Sequence, residues 1–137
     1  MIKGASDKNK VFAYFEELSA IPRGSGNTDA VSAYCMAFAE AHGLEASRDS
    51  FNNVVIKKPA SAGYEGHDTV ILQGHLDMVC EKTADSTHDF LRDGIKLVSD
   101  GEMLRADGTT LGADDGIAVA MTLAVLDDDS LPHPPIE

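Results

Sequence analysis

Five consecutive residues, Thr69-Val70-Ile71-Leu72-Gln73, restrict the folds open to this chain more than any other stretch. Side chains alternate along an extended segment, so Val70, Ile71 and Leu72 place apolar groups on both faces. A strand of that kind needs cover on both sides, as in a parallel or mixed sheet flanked by helices. The sequence also supplies helices to provide the cover. Val11, Phe12, Phe15, Leu18 and Ile21 recur at helical spacing, after Ser6 or Asp7 as a cap. Pro22 and Gly24-Ser25-Gly26-Asn27 break that helix. A second helix is predicted over Thr28 to His42, burying Val31, Tyr34, Cys35, Phe38 and Ala41, with Gly43 as a left-handed cap. A third, Asp114 to Leu126, is rich in Ala, Val and Leu.

Hairpins fill most of the remainder. Leu44 to Ser50 and Val54 to Lys58 are predicted strands joined around Phe51-Asn52-Asn53. Ile95 to Val98 and Glu102 to Ala106 flank a tight turn at Ser99-Asp100-Gly101. Pro59 to Asp68 and Glu81 to Asp93 read as irregular. The fold class is therefore α/β, a mixed sheet packed with helices. No repeat or linker divides residues 1–137. Pro132 to Glu137 reads either as a connection into a further strand, with Ile136 beginning a new apolar segment, which would make the chain a fragment, or as the frayed tail of a complete small domain.

Charge narrows the function. The formal net charge is −12, and a surface that negative repels phosphate backbones, which excludes nucleic acid and anionic membrane as partners. No stretch approaches the roughly 20 apolar residues of a membrane span, and Met1 to Lys10 lacks the apolar core of a signal peptide. Two cysteines, Cys35 and Cys80, are too few for a disulfide framework and suit reduced thiols in a cytoplasmic protein. From His75 onward, 14 acidic residues face four basic ones; cations would be drawn to that half.

Two motifs there carry chemistry. Gly74-His75-Leu76-Asp77 follows directly on the apolar strand, and ligands gather at the carboxyl ends of strands in open sheets. Alternation puts His75 and Asp77 on one side, where the imidazole can ligate zinc while the carboxylate fixes its tautomer. An ordinary turn also produces that spacing. Gly112-Ala113-Asp114-Asp115-Gly116 opens the last helix. Carboxylates at a helix start are commonplace, but the bracketing glycines permit close approach of a bound group, and a carboxylate can bridge two cations. Cys80 is a weaker candidate, a soft ligand or a buried structural thiol. His67, His88 and His133 sit in apparent loops and are expected to face solvent, and His42 to favour a helix C-terminus. Asp127-Asp128-Asp129 reads as a solvated helix end, and Gly24-Ser25-Gly26 is too short for a phosphate-binding fingerprint.

Taken together, Ile21-Pro22-Arg23-Gly24-Ser25-Gly26-Asn27, Gly74 to Lys82 and Gly108 to Gly116 resemble the aminoacyl-histidine dipeptidases, bacterial cytosolic members of the zinc exopeptidases. The resemblance covers nearly the whole chain in the expected order. It implies that residues 1–137 are the N-terminal part of a zinc-exopeptidase-like catalytic domain, without its lid domain or remaining catalytic segments. It implies two zinc ions, or other divalent metals, in the full-length enzyme. His75 would ligate one, Asp114 would bridge both, and Asp77 would serve catalysis by orienting His75. The substrates implied are small peptides, Xaa-His dipeptides and carnosine among them, and the full-length protein would dimerise through the lid. The family's Glu-Glu pair, one Glu being the general base, would lie beyond Glu137, as would a later carboxylate and His; the fragment alone should be inactive. Asp115 stands where the family more often has Asn, and Ala118 where it has Gly. The resemblance also implies a cis peptide after Asp114. The alternatives are a related amidohydrolase or deacylase of the same clan, and a non-catalytic metal-binding or interaction module.

Overall fold

A computed structural model describes residues 9–137. Helix α1, Lys10–Ser19, starts at Asn9, whose side chain accepts from the Val11 N–H. The caps expected at Ser6 and Asp7 lie outside the described residues. Helix α2, Asp29–Ala41, ends as predicted, with Gly43 in the left-handed region at φ 65°. Its buried face holds Val31, Ser32, Cys35, Phe38 and Ala39, whereas Ala41 is exposed. The face is thus turned slightly from the expected one: small residues such as Ser32 and Ala39 allow close packing, which apolarity alone does not signal.

Strands β1 (Glu45–Arg48) and β2 (Val54–Lys57) form an antiparallel hairpin, as do β3 (Leu97–Ser99) and β4 (Leu104–Ala106). Helix α3 spans Ala113–Leu126. It buries Val119, Ala120, Leu123 and Leu126, the i, i+4 spacing of one helical face, against Phe15 and Leu18 of α1. Val31 and Phe38 of α2 and Ile136 of the tail complete the core. Fully burying side chains of this size contributes about 1.5–3 kcal/mol each relative to exposure.

The tail extends the first hairpin into a mixed arrangement. Ile136 bridges Lys58 antiparallel on one side and Val70 in parallel on the other. His133, expected in solvent, is buried, because Ser61 Oγ accepts from its main-chain N–H at 2.7 Å and the tail is docked there. His88 is half-buried beside Phe90, also against expectation, while His67 is exposed as expected.

The run Thr69 to Gln73 departs further from its reading. It forms no regular strand: Val70 makes an isolated bridge, Leu72 donates to the Glu137 carbonyl, and Ile71 is 70% exposed. A regular strand needs hydrogen-bonded neighbours along its length, and only then can packed helices cover its two faces. Among the described residues, only 135–137 pair with it.

Lys58 is 7% exposed, and its ammonium donates to the carbonyls of Leu126 and Asp128 at the end of α3. The triple aspartate is correspondingly held rather than freely solvated. Asp127 meets Lys10 and His42, Asp128 accepts from Ser130, and Asp129 pairs with Lys58. His42 therefore closes its own helix and reaches α3 as well, with Nδ1 2.8 Å from the Phe38 carbonyl.

Candidate active site

Three of the sequence-predicted residues meet at one place. His75 and Asp77 lie in a segment without regular secondary structure, and their side chains meet as the alternation of an extended chain would place them. Asp77 Oδ1 lies 3.1 Å from His75 Nδ1, and the Asp77 carbonyl lies 3.0 Å from it. The other ring nitrogen, Nε2, lies 3.1 Å from Asp114 Oδ1. Asp77, His75 and Asp114 thus form a line, with the imidazole held from behind and a carboxylate in front. The Asp114 carboxylate is 97% exposed.

Electrostatics reinforce the line. The hydrogen bond to Asp114 raises the His75 pKa, with Asp77 adding to it and burial opposing. Asp77 lies below the usual carboxylate range, first because Ser25 donates to it, then because the imidazole faces it. Ser25 Oγ to Asp77 Oδ2 is 2.5 Å.

The start of α3 sets where Asp114 stands. Gly112 occupies the N-cap with φ 69°, and Asp114 and Asp115 have non-helical backbone angles. The peptide bond between Asp114 and Asp115 is cis. Regular helix resumes at Gly116. The guanidinium of Arg23 closely approaches both glycines, and the Met78 sulfur approaches Gly112 as well. A Cβ at Gly112 would lie 2.7 Å from Arg23 Nη2, and one at Gly116 would lie 2.5 Å from it.

Sequence reasoning gave Arg23 and Ser25 no role of their own: their segment counted as a helix breaker and as one motif of the family resemblance. The available signal was a lone arginine between Pro22 and Gly24, beside a core helix. Cys80, weighed as a soft ligand, is exposed; its sulfur lies 3.7 Å from the Met78 carbonyl and packs toward Gly24. Among the described residues no group of three or more His, Cys, Asp or Glu side chains is placed to hold a metal ion. His75 and Asp114 are nevertheless a nitrogen and an oxygen donor facing one another. That chemistry fits a divalent transition metal, as two members of a larger ligand set. A cleft of about 500 Å³ includes His75 and Asp77 in its lining, with Val55, Ile71, Leu72 and Leu123.

Comparison with known proteins bears on the fold and the sequence. No family model matches the chain. Its α/β fold is shared with two solved structures: a tripeptidase from Staphylococcus aureus superposes with TM-score 0.72 at 23% identity, and an aminopeptidase from Bacillus cereus with 0.73 at 21%. Each match covers 93% of this chain and 34% of the other. Over the segment it spans, the chain is similar in sequence to dipeptidases. It is 44% identical over 123 residues to the cytosol non-specific dipeptidase of Escherichia coli, covering 90% of this chain. The crystal structure of aminoacylhistidine dipeptidase from Vibrio alginolyticus matches with TM-score 0.89 and 42% identity, over 93% of this chain and 26% of that one. The chain spans about a quarter of the length of the curated relative, 25%. Among the described residues no helix is long and apolar enough to cross a membrane.

Proposed function

We propose that the protein carrying this chain is a cytoplasmic, metal-dependent dipeptidase whose substrates include Xaa-His dipeptides. In this reading, residues 1–137 are the N-terminal part of its catalytic domain. The observation that carries the reading is the Asp77–His75–Asp114 line, which places a backed imidazole against an exposed carboxylate. The names of the 44% and 42% identical relatives support the substrate class.

His75 Nε2 and Asp114 would hold the metal, with zinc the favoured ion for such donors and two ions the expected number. A divalent ion there supplies Lewis-acid polarisation of the scissile carbonyl. Asp77 keeps the ring oriented by accepting at Nδ1, and Ser25 keeps Asp77 oriented in turn. Two protein ligands fall short of the usual three or four. The remaining ligands and the general base are assigned to the longer protein, as is any dimer contact.

The test is hydrolysis of a dipeptide panel, carnosine included, by the zinc-loaded full-length protein. Cleavage of Xaa-His substrates is the expected result; a panel left intact overturns the substrate assignment. Asp77→Ala should lower kcat by about 10–100-fold while leaving much of the metal bound, as loss of a residue behind a ligand does. Loss of all metal would instead make Asp77 a ligand. The 137-residue chain alone should bind zinc weakly, and calorimetry finding two tight ions on it would refute the assignment of ligands beyond it.

A further inference from the structure

Arg23 is 2% exposed, yet none of its direct hydrogen-bond partners is a carboxylate. Nη1 donates to the Leu76 carbonyl at 3.1 Å and more weakly to that of Asp77 at 3.5 Å. Nη2 donates to the Gly112 carbonyl at 2.6 Å. The first two acceptors belong to the segment bearing His75 and Asp77; the third lies two residues before Asp114. We propose that Arg23 is a positioning residue that fixes the separation of His75 from Asp114 by holding both segments at once. Its consequence for catalysis rests on the dipeptidase reading above, whereas the brace itself requires no metal.

Three further features point the same way. The main chain of Arg23 is itself anchored: its carbonyl accepts from the Met78 N–H at 3.0 Å, and the Ser25 N–H donates to the Met78 carbonyl. Gly112 and Gly116 leave the guanidinium its room, since a side chain at either would strike Nη2. The Gly112 carbonyl also accepts from the Gly116 N–H, so the arginine grips the first turn of α3 at the point where the helix becomes regular. Burying a cation is unfavourable without compensation, and burial does lower the pKa of Arg23. The nearby charge of Asp77 opposes that effect, so a residue of the site helps to keep the brace charged. Arginine suits the task because its donors sit on separate atoms of a rigid plane, whereas lysine carries all of its donors on one nitrogen.

The test compares Arg23→Met and Arg23→Lys. In the metal-free 137-residue chain, amide hydrogen exchange should quicken in R23M at both 76–79 and 112–116, with α2 and the first hairpin unchanged. Exchange that quickens at one segment only, or at neither, overturns the brace. In the zinc-loaded full-length protein, R23M should lose about 10–100-fold in kcat, with KM within about two-fold of the parent, the pattern of an interaction that serves the transition state rather than binding. R23K should fall between R23M and the parent at an unchanged melting temperature. Parental kcat in R23K overturns the proposal, because one ammonium would then suffice. If R23M does not fold, R23K decides; if neither folds, the role is purely structural and the proposal fails. A parent inactive on every dipeptide refutes the dipeptidase reading alone, leaving the exchange result to judge the brace.

Discussion

The Ser25 hydroxyl has one strong acceptor, the carboxylate of Asp77 at 2.5 Å. Ser25→Ala removes the only side-chain hydroxyl among the described residues that restrains that carboxylate, while His75 still faces its other oxygen. If His75 is a metal ligand as proposed, turnover of the full-length protein should fall about ten-fold, at the lower end for partners of such a histidine. Steady-state kinetics with metal content measured in parallel checks this; unchanged kcat would mean that His75 alone orients Asp77. The contrast between Asp77 and Ser25 shows what was legible at this scale. His75 and Asp77 are two apart, so alternation along an extended chain sufficed to pair them. The bracketing glycines marked the Asp114-Asp115 pair, and only the family resemblance singled out Asp114; the reason for the glycines was not legible. Ser25 lies 52 residues from Asp77 and Arg23 lies 89 from Gly112. No local periodicity encodes contacts at that range, and Gly24-Ser25-Gly26 reads equally well as a simple turn.

At the scale of elements, the helices and both hairpins were recoverable because their signals are local: apolar spacing, capping residues and turn chemistry. How helices meet was not. The ends of the three helices are joined at Asp127, which pairs with Lys10 of α1 at 2.7 Å and lies 3.0 Å from His42 Nε2 just after α2. Burial pushes the Asp127 pKa up, but hydrogen bonds from Lys10 and Tyr14 outweigh it, and the net shift is downward. A carboxylate with a depressed folded pKa contributes stability above its unfolded pKa, about 3.9, and loses it as pH falls through the folded value. Asp127→Asn should therefore be less stable than the parent at pH 7, by about 1 kcal/mol once solvent screening is counted. That is about 3–5 °C in Tm for a chain of this size. The gap should close below about pH 4. Thermal melts across pH check it, and a gap that persists unchanged at pH 3 would assign the effect to shape rather than charge.

For the whole molecule, the sequence indicated a requirement without its fulfilment. Val70, Ile71 and Leu72 call for cover on two faces, but which segments supply it is a matter of topology. The tail provides a partial answer through Ile136 and Glu137. Net charge, by contrast, is legible directly and acts globally. At −12 the compact state repels itself. Raising ionic strength from about 0.01 M to 0.15 M shortens the screening length from about 30 Å to 8 Å, and Tm should rise. A fall would show that surface pairs such as Arg92–Asp89 outweigh the repulsion. The long reach of Arg23 also has a bearing on the order of events during synthesis. Closing a loop of 89 residues costs about 4 kcal/mol of chain entropy, against about 3 kcal/mol for the 39 between His75 and Asp114, plus a common constant. Such contacts form late, after local helices and hairpins have condensed. A nascent chain that has emerged as far as His88 already holds Ser25, His75 and Asp77, but it has neither the opposing carboxylate nor the carbonyl that Arg23 must reach. The meeting of His75 with Asp114 therefore waits until α3 has emerged and packed against α1, so on the proposed reading a chain still short of α3 would lack the paired donors.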